Sequence, residues 1–176
     1  MTLVTPEEAW EIFERLVAEN NGHFGDTNGF IQHSRDTGDI AGEVAERLGL
    51  DAEEIRVAGY FHDIGKLFTA DTEYFTFHEI EGARYLEREA VRLGITDSQE
   101  RADRIAQSIR PHFAVLEQFG MDEYERWKPG LRDTDSELLI IGTWQEAVIA
   151  YADATNVRGE RLTLRERIAD MKKIDE

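Results

Sequence analysis

Five histidines occur in the 176 residues, and four of them, His33, His62, His78 and His112, fall on or beside the inward faces of segments with a helical period. Two aspartates join them. Asp63 directly follows His62, and Asp153 closes the apolar run Ala147-Val148-Ile149-Ala150-Tyr151-Ala152. Imidazole nitrogen and carboxylate oxygen are the donors that divalent transition metals take from proteins. A carboxylate on an apolar helix is costly unless a cation or several hydrogen-bond donors meet it. Each of these residues alone reads more readily as a hydrogen-bonded core or surface group, and Asp153 as a helix-end cap. As a set converging on one helical core, they are hard to satisfy without metal. The chain has no cysteine, which excludes disulfides, thiolate nucleophiles and cysteine-held zinc and leaves His, Asp and Glu as the only ligands of choice.

The elements that must position these residues are helices. A cap residue followed three positions later by Glu or Gln recurs at Thr5/Glu8, Asp51/Glu54, Thr76/Glu79, Thr96/Gln99, Thr134/Glu137 and Thr163/Glu166, the pattern that satisfies orphan backbone N–H groups at a helix start. Pro6 after Thr5 suits the first helical position. Apolar period and these signals predict helices near 6–19, 30–48, 52–66, 77–93, 97–110, 137–154 and 164–174, with a short one near 121–127. Strand signals are weak by comparison. His33 shares a stripe with Ile40, Val44 and Leu48, and His62 shares one with Ile55, Ala58 and Gly59. Asp63 lies next door, with Lys66 one turn on. His78 lies in the first turn of its helix, where Gly82 and Ala83 permit close packing, and His112 follows Arg110-Pro111, where proline stops the preceding helix.

Length and a 41% hydrophobic content fit one all-α domain over 1–176 with a single core. The irregular stretch 113–136, with Trp127 and Pro129, reads as a packed excursion. A formal charge of −17 opposes attraction to nucleic-acid polymers and anionic lipid, while a small phosphorylated partner remains compatible if bound cations supply local positive charge. With no membrane span and no secretory start visible, a cytoplasmic location is expected. Self-association into a homo-oligomer is left open.

The ordered set His33, His62-Asp63, His78, His112, Asp153 resembles the HD superfamily of metal-dependent phosphohydrolases. Phe61-His62-Asp63-Ile64-Gly65-Lys66 is similar to its His-Asp-x-x-Lys segment, His78-Glu79-Ile80-Glu81-Gly82-Ala83 to its second-metal helix, and Tyr151-Ala152-Asp153-Ala154 to its closing aspartate. The resemblance covers about residues 30–156. It implies a domain of packed helices around two divalent metal ions, iron, manganese or another transition metal. His33, His62, Asp63 and Asp153 would hold the first ion, with Asp63 bridging to a second held by His78 and His112. The implied reaction is hydrolysis of a small phosphoester, a nucleotide or a relative, by a hydroxide shared between the metals. Asp63 would fix the metal spacing. Lys66 is placed either to touch a phosphate oxygen or to compensate the negative end of its helix, and Arg110 either to bind substrate or to face solvent.

The aromatic residues between Leu67 and Phe77 either stack a base or pack a loop onto the core. His23, in a Gly-containing loop, is given no role. Two rival readings accompany the hydrolase: an HD-fold di-iron oxygenase acting on a small polar substrate, and a non-catalytic sensor or interaction module that keeps the helical shell.

Overall fold

The computed structural model describes residues 4–20, 26–69, 77–112, 141–157 and 159–166. Helices α1 (Pro6–Glu19), α2 (Thr27–Leu48), α3 (Ala52–Phe61), α4 (Lys66–Thr69), α5 (His78–Leu93), α6 (Gln99–Ile109) and α7 (Trp144–Thr155) account for nearly all of the regular structure among them. The only strands among the described residues are Asn156–Val157 and Glu160–Arg161, a two-residue antiparallel ribbon. The all-α expectation therefore holds. No helix among the described residues is long and apolar enough to cross a membrane.

The helix starts follow the capping chemistry, with instructive shifts. Thr5 and Glu8 form a full capping box on α1, and the Asp51 side chain accepts from Glu54 N–H on α3. The box expected at Thr96/Gln99 is not formed. Ser98 caps α6 instead, and the Gln99 amide turns to Glu87 O and Asp103 Oδ1, both at 2.7 Å. The helix expected over 137–154 begins later, at Trp144, where Thr143 and Glu146 make the same reciprocal box that was expected at Thr134/Glu137. Thr134, Glu137, the short helix near 121–127 and the excursion 113–136 lie outside the described residues. At α5 the cap position is Phe77, and Thr76 lies outside the described residues, as does His23. The Thr163/Glu166 box is present and residues 164–166 are helical; the rest of the helix expected to 174 lies outside the described residues.

One core runs through all the long helices. Phe13 of α1 sits at its aromatic centre, with ring centroids 5.0 Å from Trp10, 5.7 Å from Phe30 and 5.5 Å from Phe61. Each such ring contributes about 1.5–3 kcal/mol on removal from water. The packing of α2 corrects the stripe read from sequence. Ile40 of that stripe is buried, together with Phe30, Ser34, Thr37, Gly38, Ala41, Gly42 and Ala45, whereas Leu48 at the helix end is exposed and His33 sits at the margin of the buried face. Small residues line that face because α3 approaches there at backbone distance: a Cβ on Gly59 would stand 2.6 Å from Gly38 Cα. Contact this close carries α2 and α3 past one another with His33 and His62 side by side.

Candidate metal centre

Helix α3 does not continue to residue 66, as the period suggested. It stops at Phe61, residues 62–65 form consecutive turns, and α4 then starts at Lys66. The turn is tightened by bonds that span three residues, Ile64 N–H to Phe61 O at 3.0 Å and Lys66 N–H to Asp63 O at 2.9 Å. A regular helix would rotate neighbouring side chains about 100° apart. The turn instead buries both members of the doublet, His62 at 0% and Asp63 at 2% exposure. Gly65 is required at its end, because a Cβ there would overlap the carbonyl oxygen of His78 at the start of α5. The close packing expected at Gly82 is seen at the same place, where a Cβ would stand 3.0 Å from Gly65 N.

Asp63 divides its carboxylate between two groups of donors. Oδ2 lies 3.4 Å from His62 Nε2 and 3.8 Å from His33 Nε2, and both histidines also approach Asp153 Oδ1, at 3.4 and 3.0 Å. Oδ1 lies 3.0 Å from His78 Nε2 and 3.4 Å from His112 Nε2. The six residues named from the sequence thus come together. Two rings are aimed by the helix ends that carry them. His62 Nδ1–H donates to Gly59 O at 2.8 Å and His112 Nδ1–H donates to Ile109 O at 2.6 Å, each a carbonyl in the last turn of the preceding helix. Those bonds turn Nε2 of each ring toward the carboxylates, the outer-sphere arrangement that fixes a ligating histidine. His78, at the start of α5, has Glu79 Oε2 3.6 Å from its Nδ1. Glu79 is fully buried, and it is the neighbour that sequence reasoning missed, having been assigned to a capping box with Thr76.

The electrostatics show how strongly this pocket seeks positive charge. Burial alone would lower the His62 pKa, but Asp63 and Asp153 outweigh it and raise it to about 10. Burial likewise acts to raise the carboxyls; Lys66 and His62 nevertheless hold Asp63 well below the usual range, and His33 and His62 do the same for Asp153. His78 goes the other way, since burial lowers it to about 4 against the pull of Asp63. The two remaining candidates differ from each other. Lys66 pairs with Asp63 Oδ2 and is partly exposed, while the Arg110 guanidinium pairs with Glu87 of α5. The Asn156 side-chain amide Nδ2–H donates to His33 O at 2.9 Å and to Thr37 Oγ1 at 3.0 Å, tying the end of α7 to α2 and so Asp153 to His33.

The donor set fits divalent cations. His33, His62 and Asp63, then His62, His112 and Asp153, then Asp63, His78 and His112, each bring one ligand atom to within 4.8 Å of the others. Ligands about 2.1 Å from a metal stand about 3.0 Å apart at right angles and about 3.4 Å apart at tetrahedral angles. The separations from 3.0 to 3.4 Å around Asp63 and Asp153 are of that size.

No curated protein and no solved structure matches the chain. The family model described as HD domain matches residues 30–170, a span that contains all six clustered residues, Lys66 and Arg110. An all-helical fold, a His-Asp doublet at the centre of a histidine and aspartate cluster, and this match over most of the sequence lead to one conclusion: the chain belongs to the HD domain family.

Proposed function

We propose that the chain is a phosphohydrolase that uses two divalent metal ions to cleave a small phosphorylated substrate, a nucleotide or related phosphoester. The observation that carries this reading is the division of Asp63, whose two oxygens each face a separate pair of histidines. His33, His62, Asp63 and Asp153 would hold one ion, and Asp63, His78 and His112 the other. Bound there, the pair supplies an activated water as nucleophile and positive charge for the phosphoryl oxygens.

The chain's own residues do the rest. Asp63, buried between the tight turn and α5, would set the spacing of the two ions. The carbonyls of Gly59 and Ile109 keep His62 and His112 in the tautomer that presents Nε2. His33, Asp153 and Lys66 are 20–25% exposed, in contrast to the buried His62, Asp63, His78 and His112, so substrate approaches from their side. There the Lys66 ammonium meets a phosphate oxygen. Arg110, held by Glu87, is the second candidate for a substrate anion. A net charge of −17 favours small substrates over polyanionic polymers, which would meet repulsion across the whole surface.

The test is a panel of nucleotides, dinucleotides and sugar phosphates assayed for phosphate or nucleotide release with manganese, iron, cobalt and zinc, with an oxygen electrode alongside. Metal-dependent release of phosphate or nucleotide is expected. Oxygen uptake by the iron-loaded protein without phosphate release would replace hydrolysis with oxygenase chemistry at the same cluster, and the absence of both reactions would leave a binding module.

A further inference from the structure

Lys66 does not pair with the carboxylate of Asp63 indiscriminately. Its ammonium bonds Oδ2, the oxygen that faces His62 and His33, whereas Oδ1 faces His78 and His112. A divalent ion held by His33, His62, Asp63 and Asp153 needs that same oxygen. An ammonium hydrogen-bonded to Oδ2 competes with it both for the lone pairs and by repulsion of like charge. Lys66 also has the means to leave. It is the first residue of the short helix α4, its side chain is 24% exposed while that of Asp63 is 2% exposed, and its stem carries the mobile charge of a flexible four-carbon chain. Its backbone stays anchored to Asp63 O at 2.9 Å, so the ammonium can swing only locally, between the carboxylate and the open side of the cluster.

We infer that Lys66 is an exchangeable counter-cation of the first metal site, holding Asp63 Oδ2 until a divalent ion takes that oxygen and thereby releasing its ammonium to the face where substrate enters. The inference rests on the metal reading above but not on the reaction assigned to it. Metal loading and the availability of the anion-binding lysine become one event, and a phosphorylated compound meets a free ammonium only when the metal is in place.

The test is a calorimetric titration of the full chain with Zn²⁺, comparing the unaltered protein with Lys66→Met, together with the ¹H–¹⁵N signal of the Lys66 ammonium in the unaltered protein. One of the two Zn²⁺ steps is expected to tighten by about tenfold or more in the variant, the scale of losing a charged hydrogen bond that competes with the metal, with the other step changing by less than about threefold. The Lys66 ammonium signal is expected to shift or vanish as Zn²⁺ is added. Equal or weaker Zn²⁺ binding by Lys66→Met overturns the inference, and so does an ammonium signal unmoved at two equivalents, a result that does not depend on the variant folding. Failure of both proteins to bind Zn²⁺ removes the metal reading itself and the inference with it; a protein that binds Zn²⁺ but hydrolyses nothing leaves the inference standing while the proposed reaction fails.

Discussion

Gly65 and His78 meet backbone to backbone, with no room for a Cβ between the turn that follows the His-Asp doublet and the first residue of α5. The position of His78, a candidate metal ligand, is thereby set by the absence of a side chain thirteen residues before it. Gly65→Ala must push α5 outward and carry His78 away from Asp63 Oδ1. The expected loss of stability is about 1–3 kcal/mol, the range for overpacking a tight contact. Chemical denaturation measures it, and metal analysis should show one ion lost in preference to the other.

Asp63 serves both donor groups and His78 only one. Asp63→Ala is therefore expected to abolish binding of both ions, whereas His78→Ala should lose mainly the second. Equilibrium dialysis followed by elemental analysis distinguishes them, and equal metal content in the two variants would contradict the assignment.

The opposite shifts of His62 and His78 give the chelator-treated protein a stability that declines on both sides of neutrality. With a folded pKa of about 10 against 6.5, His62 contributes stability that is complete below pH 6.5 and is lost as pH rises toward 10. With a folded pKa of about 4, His78 is protonated in the unfolded chain first, so its cost appears as pH falls from 6.5 toward 4. Asp63 and Asp153, held low, reinforce the acid side. Denaturation midpoints across pH 4–10 should trace this shape in the presence of chelator. Metal must displace the His62 proton, so loading at pH 8 should release about one proton per first-site ion, measurable by calorimetry in buffers of different ionisation enthalpy.

Glu79 lies behind the His78 ring as a fully buried carboxylate. As a positioning residue it should matter for affinity more than for the chemistry itself. Glu79→Gln, which preserves volume, is expected to weaken the second ion by about tenfold to a hundredfold, the usual range for losing an outer-sphere carboxylate. At saturating metal the rate should largely recover, and an unchanged affinity would leave Glu79 a structural role alone.

The cluster was legible in the sequence because metal chemistry restricts residue type so severely: with cysteine absent, four histidines and two aspartates on helical faces have few other uses. The long helices were legible from period and caps. What escaped was determined by partners distant in the chain. Just past the end of α3 at Phe61, Gly65 meets the backbone of His78, and no local propensity announces that contact. The start of α7 at Trp144 follows a Thr143/Glu146 box that the reading of the sequence passed over in favour of Thr134/Glu137. Leu48 fits the apolar period of α2 yet ends up exposed, because the line that α3 covers is chosen by Gly38 and its small neighbours, where backbones can touch.

His62 and His112 are each steered by a peptide oxygen three residues upstream, at Gly59 and Ile109. A peptide oxygen survives any exchange of side chain, so these two rings need no second residue preserved on their behalf. Their aim depends on chain length instead. Adding or deleting a single residue between the helix body and the ring would misdirect the imidazole while leaving every neighbouring side chain intact, which makes small insertions and deletions at the ends of α3 and α6 the changes this centre tolerates least.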